Sequence, residues 1–427
     1  MKLEILFKEL QKLRSTLSIY LASSMLNTAI PFLLIPVLTR YLSPSEYGVV
    51  GFFMIIVTGF SMISALGVEG AATRKYYDQN LTKTELADFI GSCMWIIIMT
   101  CLVLLTVAYV VNKNTDLFQT LDLIWILAAV FSGSCGMVMQ LALGQAQVRE
   151  RALLFALIQL AAGLSNLGIS LALVVSLRLE AEGRILGILI SFVLMSGISL
   201  LIMIRNGWIR MSFRADLIRE ALQFGIPLIP HSIALFVLAM ADRYLISSFL
   251  DFEKLGIYVL AMQLAAVFSI FFNAFHNAFT PWLFSQLKNN DPFIKENIVI
   301  FTYSYYILFL LVGILASYIA PSVIVLVAGD EYVSASTIIS WLIFSQIFTG
   351  YYLMLVGYIL YEKKTRLLSA ITVFSAALNI FLILVLIDEY GLKGVALASM
   401  VAMGVRFVLV WLASAKVHPM PWFGTST

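Results

Sequence analysis

The sequence contains little charge and little cysteine. Charged residues make up 12% of its 427 residues, whereas hydrophobic residues make up 61% and the mean hydropathy is +0.97. A hydrocarbon core about 30 Å thick requires roughly 20 mostly apolar residues per helix, and a chain of this composition leaves little room for anything else. The sequence therefore predicts a polytopic membrane protein without a soluble domain.

Several kinds of site are also missing. The three cysteines, Cys93, Cys101 and Cys135, lie in predicted spans and are interpreted as small buried side chains, not as a disulfide or metal framework. No G-x-x-x-x-G-K-[ST] motif is present, so direct ATP hydrolysis is not encoded. The formal charge of +3 is spread over loops and gives no reason to invoke nucleic acid. We expect neither a cofactor nor a metal site.

What the chain does contain is twelve apolar stretches, each long enough to cross a bilayer. Continuous apolar runs favour helices, since outer-membrane strands would show a weak ten-residue alternation. The predicted spans are 15–39, 47–68, 88–111, 121–143, 152–177, 185–204, 222–248, 256–284, 297–320, 334–360, 367–387 and 393–415.

The basic residues predict the orientation of these spans. With the N-terminus in the cytoplasm, the inner segments hold 19 of the 27 basic residues and the outer connectors hold seven, while Arg406 lies inside a span. Short cytoplasmic loops carry an excess of Lys and Arg. We therefore expect both termini in the cytoplasm and an even number of spans.

The second six spans repeat the order of the first six. Thr39-Arg40-Tyr41-Leu42 closes the first span, and Asp242-Arg243-Tyr244-Leu245 closes the seventh. The sequence predicts an all-α membrane protein with two parallel six-helix lobes, an architecture typical of transporters with a binding site between the halves. The expected parts are a cytoplasmic amphipathic flank at 1–14, an N-lobe at 15–204, a cytoplasmic connector at 205–221, a C-lobe at 222–415 and a cytoplasmic tail at 416–427.

Three segments carry a family resemblance. They are 36–48 (PVLTRYLSPSEYG), the Leu66-Gly67 pair followed by Arg74-Lys75-Tyr76-Tyr77, and 242–263 (DRYLISSFLDFEKLGIYVLAMQ). The chain resembles the polysaccharide or O-antigen flippases of the multidrug, oligosaccharidyl-lipid and polysaccharide exporter superfamily. The resemblance implies a MATE-like fold in the inner membrane of a bacterium.

The resemblance also implies a function. Such a flippase moves an undecaprenyl-pyrophosphate-linked oligosaccharide to the outer leaflet by rocking two lobes, for surface polysaccharide biosynthesis such as that of O-antigen and lipopolysaccharide. The implied partners are the lipid-linked oligosaccharide, the lipid bilayer, the polysaccharide assembly machinery and a coupling ion, H⁺ or Na⁺, because no ATP site is encoded.

An anionic pyrophosphate calls for cations, and Arg offers a fork of donors that matches phosphate oxygens. The sequence places Arg74 at the inner end of the second span and Arg406 well inside the twelfth. Arg40 and Arg243 occupy matching outer ends of the first and seventh spans. We predict substrate or gating roles for these four residues, with headgroup snorkelling as the alternative.

Two acidic residues are candidates for ion coupling. Glu69 lies in a run of small residues, where its carboxylate would experience reduced polarity; the alternative is a partner for Arg74 or Lys75. Asp242 is the second candidate, with a local ion pair to Arg243 at the outer surface as the alternative.

Polar stripes on apolar spans indicate cavity lining or helix packing. One stripe contains Tyr20, Ser23, Ser24 and Asn27, and another contains Asn273, His276, Asn277 and Thr280, with His231 on the seventh span. We predict that Asn27, His231, Asn273, His276 and Asn277 line a water-filled, cationic cavity that the two lobes enclose.

The sequence leaves two alternative functions to compare with the flippase. A multidrug or cation antiporter of the same superfamily would share the twelve spans, but a cationic drug calls for carboxylates and aromatic rings more than for Arg. A membrane glycan polymerase or acyltransferase would need a large exposed loop or a nucleophile and base. The outer connectors are short, and neither His231 nor His276 is followed by an acidic partner at motif spacing.

Overall fold

The structure is a computed structural model that describes residues 2–78, 81–114, 121–289, 291–362 and 364–422. Within these ranges every regular element is helical, and no strand occurs. The all-α fold predicted from the continuous apolar runs is confirmed.

Eight α-helices occupy the first half of the chain. Their bounds are α1 Lys2–Tyr41, α2 Pro44–Ala65, α3 Val68–Lys75, α4 Lys83–Asn114, α5 Leu123–Val148, α6 Ala152–Leu171, α7 Glu180–Arg205 and α8 Ala215–Gly225. A π-helical turn, Ala172–Ser176, extends α6. The first helix runs without interruption from the predicted flank into the first span.

Five further helices follow. They are α9 Ile229–Phe249, α10 Phe252–Asn289, α11 Pro292–Ala328, α12 Ile339–Tyr361 and α13 Thr365–Val417. Short 3₁₀ helices, Ile226–Leu228 and Asp330–Thr337, precede α9 and α12. Gly391 has a non-helical conformation inside α13 (φ 54°, ψ −134°). This break lies between the predicted eleventh and twelfth spans.

Ten helices in the described part of the chain are long and apolar enough to cross a membrane. The protein is thus a multi-pass membrane protein. The count of twelve spans stays a prediction, because α9 is not among the ten and α13 is counted once although Gly391 interrupts it.

Two predicted span boundaries lie where the structure has a separate short helix. The second span was expected to reach residue 68, but α2 ends at Ala65 because Leu66 (φ 46°) and Gly67 (φ 71°) adopt left-handed conformations. The seventh span was expected to begin at 222, but α8 occupies that position and α9 begins at Ile229. Both differences come from short helices at span ends.

Side-chain caps fix the starts of two spanning helices. The Glu46 carboxylate accepts hydrogen bonds from the backbone N–H (2.8 Å) and hydroxyl (2.7 Å) of Ser43 before α2. The Glu85 carboxylate does the same for Thr82 before α4, at 2.9 and 2.6 Å. These are capping boxes, which satisfy N–H groups that the helix leaves unpaired.

The chain forms two compact units. The first contains Met1–Leu42 and Val49–Met240, and the second contains Ser43–Gly48 and Ala241–Thr427. Within the first unit, the segment after α7 lies along the start of α4. The Arg210 N–H donates to the Ala87 carbonyl at 3.0 Å, and a Cβ at Gly91 would lie 1.9 Å from the Arg210 carbonyl oxygen. Only glycine at position 91 permits this approach.

Within the second unit, the Ser43–Gly48 segment, which contains the start of α2, packs on the start of α10. A Cβ at Gly48 would lie 1.8 Å from the Phe252 carbonyl oxygen, so the two backbones are in direct contact. The Tyr47 hydroxyl donates to Gln263 Oε1 at 2.6 Å. The start of α2 thus belongs structurally to the second unit.

Candidate functional site

The short helix α3 positions two of the predicted site residues. The left-handed Leu66-Gly67 pair turns the chain sharply after α2. A Cβ at Gly67 would lie 2.8 Å from the Gly225 Cα, so this turn lies directly against the end of α8. The contact orients α3 so that Glu69 and Arg74 face a groove in the first unit.

An ion pair holds the other end of α3. Lys75 Nζ lies 2.6 Å from Glu220 Oε1 on α8 and 3.2 Å from Asp78 Oδ2. Burial alone would lower the pKa of Lys75, but the hydrogen bonds with Glu220 and Asp78 raise it above its usual value. Lys75 therefore forms its ion pair with Glu220 of α8 and is not the partner of Glu69.

The groove lies between α3 and α5 and has a volume of about 460 Å³. We call it the α3–α5 groove. Its lining residues are Glu69, Gly70, Thr73, Arg74, Tyr77, Gln140, Leu143, Gly144, Gln147 and Phe155. A Cβ at Gly144 would lie 3.1 Å from Thr73 Oγ1, so a glycine there allows α3 to lie close to α5.

Glu69 and Arg74 share this groove but do not neutralise each other in the described structure. Glu69 Oε2 is buried and has no hydrogen-bond partner among the described residues. The Arg74 side chain is exposed, and its guanidinium carbon lies 5.5 Å from the centre of the Phe224 ring. An aromatic face attracts a cation without consuming its hydrogen-bond donors. Both groups therefore remain available to a ligand.

The α5 side of the groove contains two residues that sequence reasoning missed. Gln140 and Gln147 are exposed and seven positions apart, so they lie on the same face of α5. The available signal was this i, i+7 pair of amides on an apolar span. It is weak, because Gln145 on the same helix is fully buried and accepts a hydrogen bond from Arg149.

The predicted polar stripe on α1 lies at a helix contact. Ser24 Oγ lies 3.5 Å from Gln159 Oε1 on α6. A Cβ at Gly163 on α6 would lie 2.7 Å from Asn27 Oδ1. The structure therefore places Asn27 against α6, which favours helix packing over cavity lining for this stripe.

Arg406 occupies an aromatic environment in the second unit. Its guanidinium carbon lies 3.8 Å from the centre of the Tyr352 ring. Its Nε is buried and has no hydrogen-bond partner among the described residues. The neighbouring Phe407 ring packs against Tyr306, Tyr351 and Phe348. A guanidinium inside an apolar span with an unused donor is expected to have a function.

The stripe on α10 divides into two parts. His276 Nδ1 lies 3.0 Å from the Leu353 carbonyl oxygen of α12 and 3.2 Å from the Thr280 hydroxyl. Asn273 is exposed and donates to the Ser269 carbonyl at 2.7 Å, while Asn277 is exposed. His276 thus joins two helices, whereas the two asparagines present polar groups on the surface of α10.

Asp242 is a buried hydrogen-bond acceptor. It is 7% exposed; its Oδ2 accepts from the Tyr258 hydroxyl at 2.5 Å and its Oδ1 accepts from the Arg243 N–H at 2.8 Å. Arg243 is half-buried, and Arg40 is exposed in the last turn of α1.

His231 lies in α9, and its side chain is outside the described residues. In the part of the chain that the structure describes, no three His, Cys, Asp or Glu residues are grouped as a metal site would require. The site residues thus form separate sets: the α3–α5 groove with Glu69 and Arg74 in the first unit, and Arg406, the α10 stripe and Asp242 in the second.

Known proteins are similar to this chain in sequence and in fold. The chain is 26% identical over 370 residues to "Lsg locus putative protein 1" of Haemophilus influenzae, covering 85% of this chain and 88% of the relative. Its fold is similar to that of the lipid II flippase MurJ in an inward closed conformation, with a TM-score of 0.73, 14% identity, and coverage of 92% and 86%.

A second solved structure shows the same fold. An inward-facing multidrug resistance MATE family transporter of the MOP superfamily has a TM-score of 0.69 and 13% identity, with coverage of 91% of this chain and 95% of the other. Residues 13–288, well over half of the chain, match the family described as polysaccharide biosynthesis protein. The chain therefore belongs to the polysaccharide biosynthesis protein family and has the fold of membrane flippases and transporters.

Proposed function

We propose that this protein is a flippase that translocates an undecaprenyl-pyrophosphate-linked oligosaccharide across the bacterial cytoplasmic membrane by alternating access, for surface polysaccharide biosynthesis. Family membership and the flippase-like fold support a transporter of a lipid-linked sugar. One observation carries the proposal: a groove in the first unit presents the exposed guanidinium of Arg74 and the unpartnered carboxylate oxygen of Glu69.

In this proposal Arg74 and Arg406 engage the pyrophosphate. Both guanidinium groups lie against an aromatic ring, which leaves N–H donors for an anion. Of the two guanidinium groups, that of Arg406 costs more free energy to bury, since it lies inside α13 and its Nε has no partner among the described residues. Arg40 and Arg243 are assigned the weaker role of attracting the anionic headgroup near the ends of α1 and α9.

Glu69 is the proposed coupling residue, and its ion is H⁺ or Na⁺. A buried carboxylate oxygen without a partner is costly, and binding a proton or a cation removes that cost. Asp242 is the less suitable candidate, since both of its oxygens already accept hydrogen bonds. A charge that binds an ion in one state and releases it in another links transport to an ion gradient.

The experiment that tests this proposal compares Arg74 and Arg406 variants in cells that lack their own surface polysaccharide exporter and in proteoliposomes. Arg→Ala at either position is expected to abolish export while the protein level persists. Arg→Lys is expected to restore export only in part, because Lys keeps the charge but loses the bidentate fork.

Matched variants at Arg205, which lies at the end of α7 outside the groove, serve as controls and are expected to export normally. Full export by both Arg→Lys variants would assign these residues to topology or snorkelling instead. Gradient-driven efflux of a cationic drug without lipid translocation would favour the cation antiporter function over the flippase.

A further inference from the structure

The α5 wall of the α3–α5 groove has chemistry that neither phosphate binding nor ion coupling requires. Gln140 and Gln147 lie two turns apart on one face of α5, about 10 Å along the helix axis. A primary amide offers two donors and one acceptor and carries no charge. This wall therefore suits a neutral, hydroxyl-rich ligand better than a phosphate.

Both amides are unused by the protein. Among the described residues, no side-chain hydrogen bond is formed by Gln140 or Gln147, and both side chains are exposed. The other glutamines nearby differ: Gln145 accepts from Arg149, and Gln159 lies within 3.5 Å of Ser24 at the contact between α1 and α6. Two exposed amides without a protein partner on an apolar helix can form hydrogen bonds only with water or a ligand.

The α3 wall complements these amides. The Thr73 hydroxyl donates to the Glu69 carbonyl at 2.8 Å and keeps its lone pairs for a further donor. The Tyr77 side chain is 70% exposed and offers an aromatic face with a polar hydroxyl. Amides, a hydroxyl and an aromatic ring together match a sugar ring, which has hydroxyl groups at its edge and apolar C–H groups on its faces.

We propose that the α3–α5 groove binds the sugar attached directly to the pyrophosphate, with Gln140 and Gln147 as its specificity-determining residues. This inference rests on the proposed function, in which Arg74 at the same groove holds the phosphate. A volume of about 460 Å³ is within the range of sites for small molecules. A sugar linked to a phosphate at Arg74 is thereby within the same groove as the two amides.

Amide hydrogen bonds to sugar hydroxyls would make the groove selective. A site built to hydrogen-bond a hydroxyl disfavours an analogue in which that hydroxyl is absent or points elsewhere, because a polar group is then left unpaired. The groove would therefore distinguish sugars that differ only in the direction of one hydroxyl.

The test measures lipid binding to the full-length protein in nanodiscs. The probes are undecaprenyl pyrophosphate and the same lipid bearing N-acetylglucosamine, glucose or galactose. The wild type is expected to bind at least one sugar-bearing lipid about tenfold more tightly than the sugar-free lipid. Gln140→Leu and Gln147→Leu are each expected to remove most of this preference and to leave sugar-free binding unchanged, since one hydrogen bond accounts for about a tenfold change.

Two further variants separate the possible outcomes. Arg74→Ala should weaken binding of every probe, whereas Gln159→Leu, which lies outside the groove, should change none. Gln140→Asn, which keeps the amide but shortens its reach, provides a conservative variant and should lose part of the preference. Free N-acetylglucosamine should not compete at micromolar concentration, because the proposed ligand is the lipid-linked sugar.

Three results would overturn the inference. These are equal binding of sugar-free and sugar-bearing lipids by the wild type, equal weakening of all probes by the Gln→Leu variants, and an unchanged preference in both variants. Failure of the proposed function looks different, since the wild type would then bind none of the pyrophosphate lipids.

Discussion

At the scale of single residues, the structure distinguishes the interactions of charged residues that are neighbours in the sequence. Lys75 and Arg74 are neighbours in sequence, yet Lys75 is paired with Glu220 while Arg74 faces the α3–α5 groove. Glu220 is 145 positions away in the chain, so no local pattern could predict this pair. Lys75 therefore does not pair with Glu69, and the Glu69 carboxylate remains available for the proposed ion coupling.

Glu69→Gln provides the residue-scale prediction. If the carboxylate takes up and releases an ion during transport, the neutral amide cannot do so, and flipping should become independent of the ion gradient. The variant should be as stable as the wild type or more stable, because an unpartnered buried carboxylate is replaced by an uncharged group. Transport in proteoliposomes with and without a gradient, together with the thermal unfolding midpoint, measures both effects.

Glu253→Gln is the control for this measurement, since Glu253 is exposed in the first turn of α10 and lies outside the groove. Its transport should still depend on the gradient. Gradient-dependent transport by Glu69→Gln together with a lower unfolding midpoint would instead make Glu69 a structural residue.

At the scale of elements, the segment after α7 is fixed to the first unit by close backbone contacts and aromatic packing. Arg149 lies between the rings of Tyr76 and Trp208, with its guanidinium carbon 5.1 and 4.7 Å from their centres. Burial lowers the pKa of Arg149 from its usual value, although a guanidinium stays charged at neutral pH. These contacts hold the region around α8, which in turn supports α3.

Gly91→Ala tests whether that attachment matters. The added Cβ would lie 1.9 Å from the Arg210 carbonyl oxygen, so the segment must shift away from α4. Overpacking of this kind costs about 1–3 kcal/mol. We expect a lower unfolding midpoint in detergent and, because α8 supports α3, weaker lipid binding at the α3–α5 groove.

Gly197→Ala is the matched control for Gly91→Ala. No heavy atom lies within 4 Å of a Cβ at Gly197 on α7, so this variant should be neutral or more stable by up to about 1 kcal/mol, since alanine is the better helix former. Equal midpoints for the two variants would show that the contact between Gly91 and Arg210 contributes little.

The elements also show how far the sequence could lead. Long apolar runs predicted the spanning helices because the bilayer alone requires about 20 such residues. The end of α2 was predicted too late, because Leu66 adopts a left-handed conformation that its own side chain does not signal. The start of α9 was predicted too early, because α8 is a short helix joined to a span. The sequence did not predict Gln140 and Gln147 as site residues, because the groove that they line forms only when α3 lies opposite α5.

At the scale of the whole molecule, the chain is a multi-pass membrane protein of the polysaccharide biosynthesis protein family, and the proposed translocation depends on a few polar side chains. Of the proposed phosphate-binding residues, Arg74 lies against Phe224 in the first unit and Arg406 lies against Tyr352 in the second. The predicted orientation then determines which leaflet the α3–α5 groove serves.

The last prediction concerns that orientation. The predicted connector after the second span contains Arg74, Lys75 and Lys83, so we expect the groove to open towards the cytoplasm, with both termini on the same side. A reporter that is active only outside the membrane should be inactive when fused after Lys416 and active when fused after Lys113, which the basic-residue bias assigns to an outer connector. The opposite pattern, or activity at both positions, would place the groove on the outer face or require an odd number of spans. Only the opposite pattern would exclude loading of a cytoplasmic lipid-linked sugar at Arg74, because activity after Lys113 keeps Arg74, one span earlier, on the cytoplasmic side.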